Sequence, residues 1–151
     1  MRRALSALKY DRDLARAGPL GQMLGFHVRR ASFDLAVAVP LHRRRQRSRG
    51  FNQSELILRW ALRAGGQPPP VALLRRSRNT TPQVGLPANL RRENVEHAFV
   101  ALPPRSLLLR GRRVLLFDDV ITTGATLQAA AAPLRAAGAH VSFLALLQAV
   151  A

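Results

Sequence analysis

The sequence contains no cysteine among its 151 residues. It can therefore form neither a disulfide bond nor a thiolate-ligated zinc site. It also lacks any long uninterrupted apolar run, which argues against a transmembrane helix. The start of the chain is positively charged but reaches Lys9 and Asp11 before an apolar stretch develops, so no secretory signal is expected. These absences, with a length that suits one domain, predict a cytoplasmic location and a single compact unit.

Acidic residues are scarce, with 8 Asp and Glu against 24 Lys and Arg, for a net charge of +16. All of these cations except Lys9 are arginines. A basic surface attracts any polyanion, so nucleic acids and small anionic substrates are both candidate partners. Arginine binds phosphate in a bidentate manner, which fits either class. An Arg- and Ala-rich composition also follows from genomic base bias alone, so the charge does not choose between these explanations.

The most informative stretch runs from Val114 to Thr126 and reads VLLFDDVITTGAT. Its apolar start predicts a short buried parallel strand, and the residues after it predict a polar loop and a helix over about 125–137. In such a strand–loop–helix unit the loop lies outside the carboxyl end of the strand, where open α/β sheets bind their ligands. We therefore expect a functional site at this loop.

The residue types of this loop favour a ligand that carries both a phosphate and a diol. The start of a helix attracts phosphate, and Gly124 lets the backbone approach it closely. The two acids before the loop repel phosphate, but they accept hydrogen bonds from sugar hydroxyls or hold Mg²⁺ through water. Further hydroxyl donors come from three threonines, Thr122, Thr123 and Thr126.

The stretch resembles the 5-phosphoribosyl-1-pyrophosphate (PRPP) signature of type I phosphoribosyltransferases, which is an apolar strand, two acids, two apolar residues and a Thr-Thr-Gly-x-Thr loop. The resemblance implies that Asp118 and Asp119 are the catalytic acids that bind the ribose 2′- and 3′-hydroxyls. It implies that Mg²⁺ accompanies PRPP, with no direct protein ligand to the metal. It assigns the 5′-phosphate to the loop residues Thr122, Thr123, Gly124, Ala125 and Thr126.

A second basic segment follows a predicted strand over 33–39. Five arginines crowd between Leu41 and Gln53, and such a run is either a solvated basic loop or a polyphosphate clamp. In type I phosphoribosyltransferases the loop after the first sheet strand holds the pyrophosphate of PRPP. The resemblance assigns that role here to Pro40, Leu41, His42, Arg43, Arg44 and Arg49.

Two further motifs, Val39-Pro40-Leu41 and Arg49-Gly50-Phe51-Asn52-Gln53, resemble the ComF family of phosphoribosyltransferase-like competence proteins. The same family resemblance extends to two later segments, Arg78-Asn79-Thr80-Thr81-Pro82-Gln83 and Arg91-Arg92-Glu93-Asn94-Val95. The resemblance implies an α/β fold with a central, mainly parallel sheet flanked by helices, preceded by N-terminal helices. ComF proteins commonly begin with a four-cysteine zinc module. This chain either belongs to a zinc-free subset or is shortened at its start.

The resemblance implies two functions of different classes. The first is a PRPP-binding protein that, if catalytic, transfers the phosphoribosyl group to a base or amine and releases pyrophosphate. The second is a DNA-uptake accessory that binds single-stranded DNA beside a competence helicase, with a non-catalytic PRPP pocket. PRPP or a nucleotide is thus the expected ligand, and a second copy of the chain is a further candidate partner. The acceptor base is not indicated by any motif.

The remaining segments complete the expected domain. Residues 1–32 are predicted to form helices broken at Gly18-Pro19, and residues 33–151 the phosphoribosyltransferase-like domain. Helical spacing over 51–62 predicts a helix, on which Trp60 either faces the core, the interpretation we adopt, or forms a base-stacking platform. Short strands are expected at 71–74, 98–102 and 141–150. A basic insert over 75–94 is predicted to close over the site, with Gln83 and Asn94 as candidate ligand contacts or ordinary turn residues.

Overall fold

The computed structural model describes residues 1–78, 95, 97–103 and 105–149. A parallel sheet has the strand order β1-β4-β5, and an antiparallel ribbon pairs β2 with β3. This arrangement, with helices around the sheet, confirms the predicted fold class. The strands are β1 (Leu35–Ala38), β2 (Leu74–Arg76), β3 (Phe99–Ala101), β4 (Arg113–Ile121) and β5 (His140–Gln148). The helices are α1 (Arg2–Tyr10), α2 (Ala17–Gln22), α3 (Gly25–Arg30), α4 (Arg43–Arg49), α5 (Gln53–Ala64) and α6 (Ala125–Ala136), with 3₁₀ turns at Leu14–Arg16 and Arg105–Leu109.

Strand β4 is the central strand of the sheet and is longer than its apolar run. Residues 114–117 are buried on both faces, which explains the continuous apolar sequence. The strand then continues through both acids, because β5 pairs with it as far as Ile121 opposite Gln148. The acids therefore belong to the end of a hydrogen-bonded strand, which is longer than the apolar run alone predicted.

Two apolar layers cover the two faces of the sheet. On one face, α1, α2, α3 and α5 pack on Leu115 and Phe117. On the other face, α6 and the β2–β3 ribbon pack on Val114 and Leu116. Helix α5 follows β1 and α6 follows β4, so the chain leaves these two neighbouring strands on opposite faces. A crevice between β1 and β4 at their carboxyl ends is therefore the topological switch point, where ligands bind in open α/β sheets.

The helices on the Leu115 face of the sheet differ from the expected pattern at two places. Gly18 and Pro19 lie inside the first turn of α2, where proline is tolerated, so they do not break the helix. Trp60 is 37% exposed, so its predicted place in the core is wrong. It lies against α2, where a Cβ added to Gly18 would stand 3.6 Å from the indole ring. Trp60 thus packs closely against the glycines of α2, and part of its indole ring remains at the surface.

The other predicted elements are found with small shifts. The predicted helices over 51–62 and 125–137 are α5 and α6, and the predicted strands over 98–102 and 141–150 are β3 and β5. The strand expected over 71–74 begins later, at Leu74. Gln83 and Asn94 lie outside the described residues. No helix in the described part of the chain is both long and apolar enough to cross a bilayer.

Candidate functional site

A pocket that is open to solvent lies at the carboxyl end of β4, one of the two strands that border the switch point described above. Of the five predicted phosphate-binding residues only Thr123 is absent from its wall, and Asp118 contributes to it. Its lining residues are Asp118, Val120, Ile121, Thr122, Gly124, Ala125, Thr126 and Leu127.

The turn between β4 and α6 is shaped by Gly124. This residue has φ 76°, in the left-handed region that glycine adopts most readily. Its carbonyl accepts the hydrogen bond from the Gln128 N–H at 2.9 Å, so α6 begins directly after it. The Thr123 hydroxyl oxygen accepts a hydrogen bond from the Ala125 N–H at 3.4 Å. Because the first residues of α6 line the pocket, the positive end of its dipole is available to an anion there.

Asp118 is a partly buried acid with defined partners. Its Oδ1 accepts hydrogen bonds from the Ser54 hydroxyl at 3.1 Å and from the Asp119 N–H at 2.9 Å. Burial, followed by the charge of Asp119, raises the pKa of Asp118 to about 7, while these hydrogen bonds and the Lys9 charge act in the opposite direction. The acid that faces the pocket therefore changes its protonation near neutral pH.

Asp119 has a different environment, although it is the adjacent residue. It is only 4% exposed, and its Oδ2 lies 2.5 Å from the Lys9 Nζ of α1. It is not one of the residues that line the pocket. The structure thus brings both predicted ribose-binding acids to the switch point but gives them separate partners. Lys9 was missed by sequence reasoning, and its only signal was that it is the sole lysine of the chain.

The basic segment after β1 forms the short helix α4 where a loop was expected. His42 Nδ1 accepts a hydrogen bond from the Arg44 N–H at 3.3 Å before the helix, and Gly50 ends it with φ 91°. Pro40 and Leu41 join β1 to this helix. The predicted pyrophosphate residues therefore lie at the carboxyl end of the strand next to β4. None of them lines the pocket itself.

The Arg-Gly-Phe-Asn-Gln motif links α4, β1 and α5. Arg49 Nη1 donates a hydrogen bond to Gln53 Oε1 at 2.5 Å. The buried Asn52 donates from Nδ2 to the Val39 carbonyl at 3.0 Å and accepts from the Ser54 N–H at 3.1 Å. Asn52 thus caps α5 and ties it to the end of β1. This arrangement places Ser54 where its hydroxyl reaches Asp118, so the motif has a structural explanation.

Two arginines interact electrostatically with the acids. Arg76, at the end of β2, is 8% exposed, and burial and the Arg45 charge lower its pKa while Asp118 opposes the shift. Burial also lowers the pKa of Arg49, with Tyr10 and Asp119 opposing.

Arg76 also forms an isolated parallel bridge with His42, whose pKa is lowered by desolvation and by neighbouring arginines. Sequence reasoning placed Arg76 in the basic insert. Arginines are rarely buried, so nothing in the local sequence indicated that Arg76 would lie in the interior.

Comparison with known proteins identifies relatives among DNA utilization and competence proteins. No family model matches the chain. The chain is 37% identical over 131 residues to the DNA utilization protein YhgH of Escherichia coli (strain K12), covering 79% of this chain and 54% of that protein. It is 39% identical over 105 residues to competence protein F of Haemophilus influenzae, covering 70% of this chain and 45% of that protein. The chain therefore spans about half the length of these relatives.

The fold also has a relative of known structure. The chain superposes on the glutamine PRPP amidotransferase from B. subtilis, solved with ADP and GMP, with a TM-score of 0.55 and 23% identity. The match covers 86% of this chain and 26% of that one. At this identity the likeness concerns the fold, which is that of a phosphoribosyltransferase. Over the aligned length, the chain is homologous to DNA utilization protein YhgH and competence protein F, which confirms the resemblance to ComF competence proteins that its motifs indicated.

Proposed function

We propose that the protein binds Mg²⁺-PRPP at this pocket and transfers its phosphoribosyl group to a base or amine, with release of pyrophosphate. One observation carries the proposal: Asp118 and the first residues of α6 line the same pocket. An anion-attracting helix start and a hydrogen-bond-accepting carboxylate side by side suit a phosphorylated sugar. The same proposal includes a cytoplasmic location, because PRPP, the donor of the phosphoribosyl group, is a cytoplasmic metabolite.

Each part of the proposed site has a distinct task. The backbone of Gly124 to Thr126 and the threonine hydroxyls bind the 5′-phosphate. The carboxylates of Asp118 and Asp119 orient the ribose hydroxyls. Because catalysis in this scheme rests on positioning and charge stabilisation, no side chain acts as a nucleophile.

The leaving pyrophosphate lies towards α4 and β2 in this proposal. The acceptor nitrogen forms a bond to the anomeric carbon while the carbon–oxygen bond to pyrophosphate breaks, and pyrophosphate leaves with the electron pair. Arg49, Arg76 and the arginines of α4 neutralise its charge.

Mg²⁺ supplies additional positive charge to the leaving group when bound. The described residues contain no group of three His, Asp or Glu that could hold a metal. In this proposal Mg²⁺ is held mainly by the substrate's phosphates and by water.

Titration calorimetry of the unmodified chain with PRPP and Mg²⁺ tests the binding step. We expect the Asp118→Asn/Asp119→Asn double variant to bind PRPP at least about tenfold more weakly, because it loses two charge-assisted hydrogen bonds to the ribose. The matched control is Arg59→Ala, which removes an exposed ion pair with Glu55 of 3.0 Å on α5 and is expected to bind normally.

Two results would count against the proposal. One is the absence of heat from PRPP binding by the unmodified chain, and the other is equal affinity of the double variant and the parent. If PRPP binds, pyrophosphate release measured against a panel of bases and amines tests turnover. Release with none of them would leave a PRPP-binding protein without transferase activity.

A second candidate function, binding of single-stranded DNA, is favoured by a surface of exposed aromatic rings paired with arginines. Phe26 on α3 is 65% exposed, and the Arg30 guanidinium lies 5.4 Å from its ring centroid. On the neighbouring helix α5, the Arg63 guanidinium lies 5.3 Å from the ring of the partly exposed Trp60. Aromatic rings flanked by cations stack on bases and contact phosphates, which is how proteins bind single strands without sequence preference.

Trp60 provides a direct test, because it is the only tryptophan of the chain. Titration with oligothymidylate at low salt is expected to quench its fluorescence, and the affinity is expected to fall steeply as salt rises. Phe26→Ala should weaken binding by about 1–3 kcal/mol while leaving the fluorescent reporter in place. Unchanged fluorescence at low salt, with no shift of the oligonucleotide by an independent measurement such as anisotropy, removes this function.

A further inference from the structure

The end of α1 contacts both parts of the site. The Lys9 ammonium reaches Asp119. Three residues further on, Arg12 Nη2 donates a hydrogen bond to the Ser48 carbonyl of α4 at 2.6 Å. Between them, the Tyr10 ring lies 5.9 Å from the Arg49 guanidinium. The first helix is therefore joined to the acid pair and to the basic helix, although about a hundred residues separate it from the acids.

The contact between Lys9 and Asp119 is shielded from solvent. Their side chains are 19% and 6% exposed. An ionised carboxylate at such a depth is costly unless a cation compensates it, and removal of one partner of a buried pair leaves the other charge unpaired. Lys9 is the nearest such cation, and its ammonium carries three hydrogen-bond donors. A charge held in this way also fixes where the carboxylate points.

We propose that Lys9 is a positioning residue, which holds the Asp119 carboxylate oriented for the ribose and makes α1 part of the sugar-binding site. The inference rests on the proposed function, since it assigns Asp119 a ribose hydroxyl. The charged groups that act on the acid pair are Lys9 from α1, Arg49 from α4 and Arg76 from β2. Of these, only Lys9 forms a direct ion pair with Asp119.

Lys9→Met and Lys9→Arg test the inference, with Arg16→Met as the matched control. Arg16 belongs to the same segment and forms an exposed ion pair with Asp13. We expect Lys9→Met to weaken Mg²⁺-PRPP binding at least about tenfold at pH 7, because the buried Asp119 carboxylate loses its ion-pair partner. Part of the deficit should disappear at pH 9, where Asp118, whose pKa the Lys9 charge lowers, is ionised in both proteins. Lys9→Arg should restore most of the affinity, and Arg16→Met should match the parent.

A purely structural role for Lys9 gives a different pattern. Lys9→Met would then lower the melting temperature, while the folded fraction would bind PRPP as the parent does at every pH. Tighter binding by Lys9→Met would mean that Lys9 competes with the sugar. Either result overturns the inference.

A second measurement separates failure of this inference from failure of the proposed function. The Lys9 charge lowers the pKa of Asp118, which stands at about 7 in the parent. Carboxyl-carbon nuclear magnetic resonance without any ligand should therefore show Asp118 titrating at higher pH in Lys9→Met than in the parent. If PRPP does not bind but this shift appears, the proposed function fails and the electrostatic role of Lys9 stands. An unchanged titration overturns the role of Lys9 whatever PRPP does.

Discussion

Replacement of Asp118 by asparagine is expected to stabilise the protein while weakening its ligand site. The aspartate Oδ1 accepts hydrogen bonds from the Ser54 hydroxyl and the Asp119 N–H. An asparagine Oδ1 can accept the same two bonds, and the substitution keeps the side-chain shape. It removes the partly buried charge that burial and the neighbouring Asp119 disfavour. The substitution therefore separates the electrostatic cost of Asp118 from its packing.

The sign and size of this effect follow from the pKa of Asp118. Its folded-state value of about 7 is above the ordinary 3.8. Protonated Asp118 therefore makes its full favourable contribution to the free energy of unfolding below pH 3.8. That contribution is lost as the pH rises through 7. A difference of about three pKa units corresponds to at most about 4 kcal/mol. Because Asp118 lines an open pocket, we expect about 1–3 kcal/mol of stabilisation by Asp118→Asn at pH 8.

Urea unfolding followed by circular dichroism at pH 5 and pH 8 measures the effect. The gain in the free energy of unfolding should be largest at pH 8 and less than half as large at pH 5, because the cost grows between pH 3.8 and about 7. Asp34→Asn is the matched control of opposite sign, since hydrogen bonds and the charge of Arg113 hold the pKa of Asp34 below its usual value. That variant should lose stability at pH 8. An Asp118→Asn protein no more stable than the parent at pH 8, or equally stabilised at both pH values, would refute the reasoning.

Two further predictions concern the packing that supports the site. Asn52→Ala should lower the free energy of unfolding by about 2–3 kcal/mol in urea, because it removes the cap of α5 and leaves the Val39 carbonyl without its side-chain donor. Gly21→Ala should lower it by about 1–3 kcal/mol and shift the Trp60 emission, because the new Cβ would stand 2.5 Å from the Trp60 Cβ and 2.6 Å from a backbone oxygen of α5. Gly18→Ala is its control, with 3.6 Å to the indole and an expected change near zero.

Local sequence was sufficient where one segment carries the whole feature. The unit from Val114 to Thr126 was recognisable because the apolar run, the acids and Gly124 follow each other along the chain. Periodicity likewise predicted α5 and α6 within two residues at their ends. Trp60 was the exception, since helical spacing indicates which face is apolar but not how closely a neighbouring glycine-containing helix approaches it.

The sequence by itself determined the fold class, the position of the loop after β4 and the residue types that line the pocket there. It could not determine the partners of the acids. Ser54 reaches Asp118 only because Asn52 ties α5 to β1, and Lys9 reaches Asp119 only because α1 packs on the same face of the sheet. Contacts between residues so far apart in sequence depend on how helices pack over a sheet. That packing, and with it the charge state of the site, is decided by the tertiary structure alone.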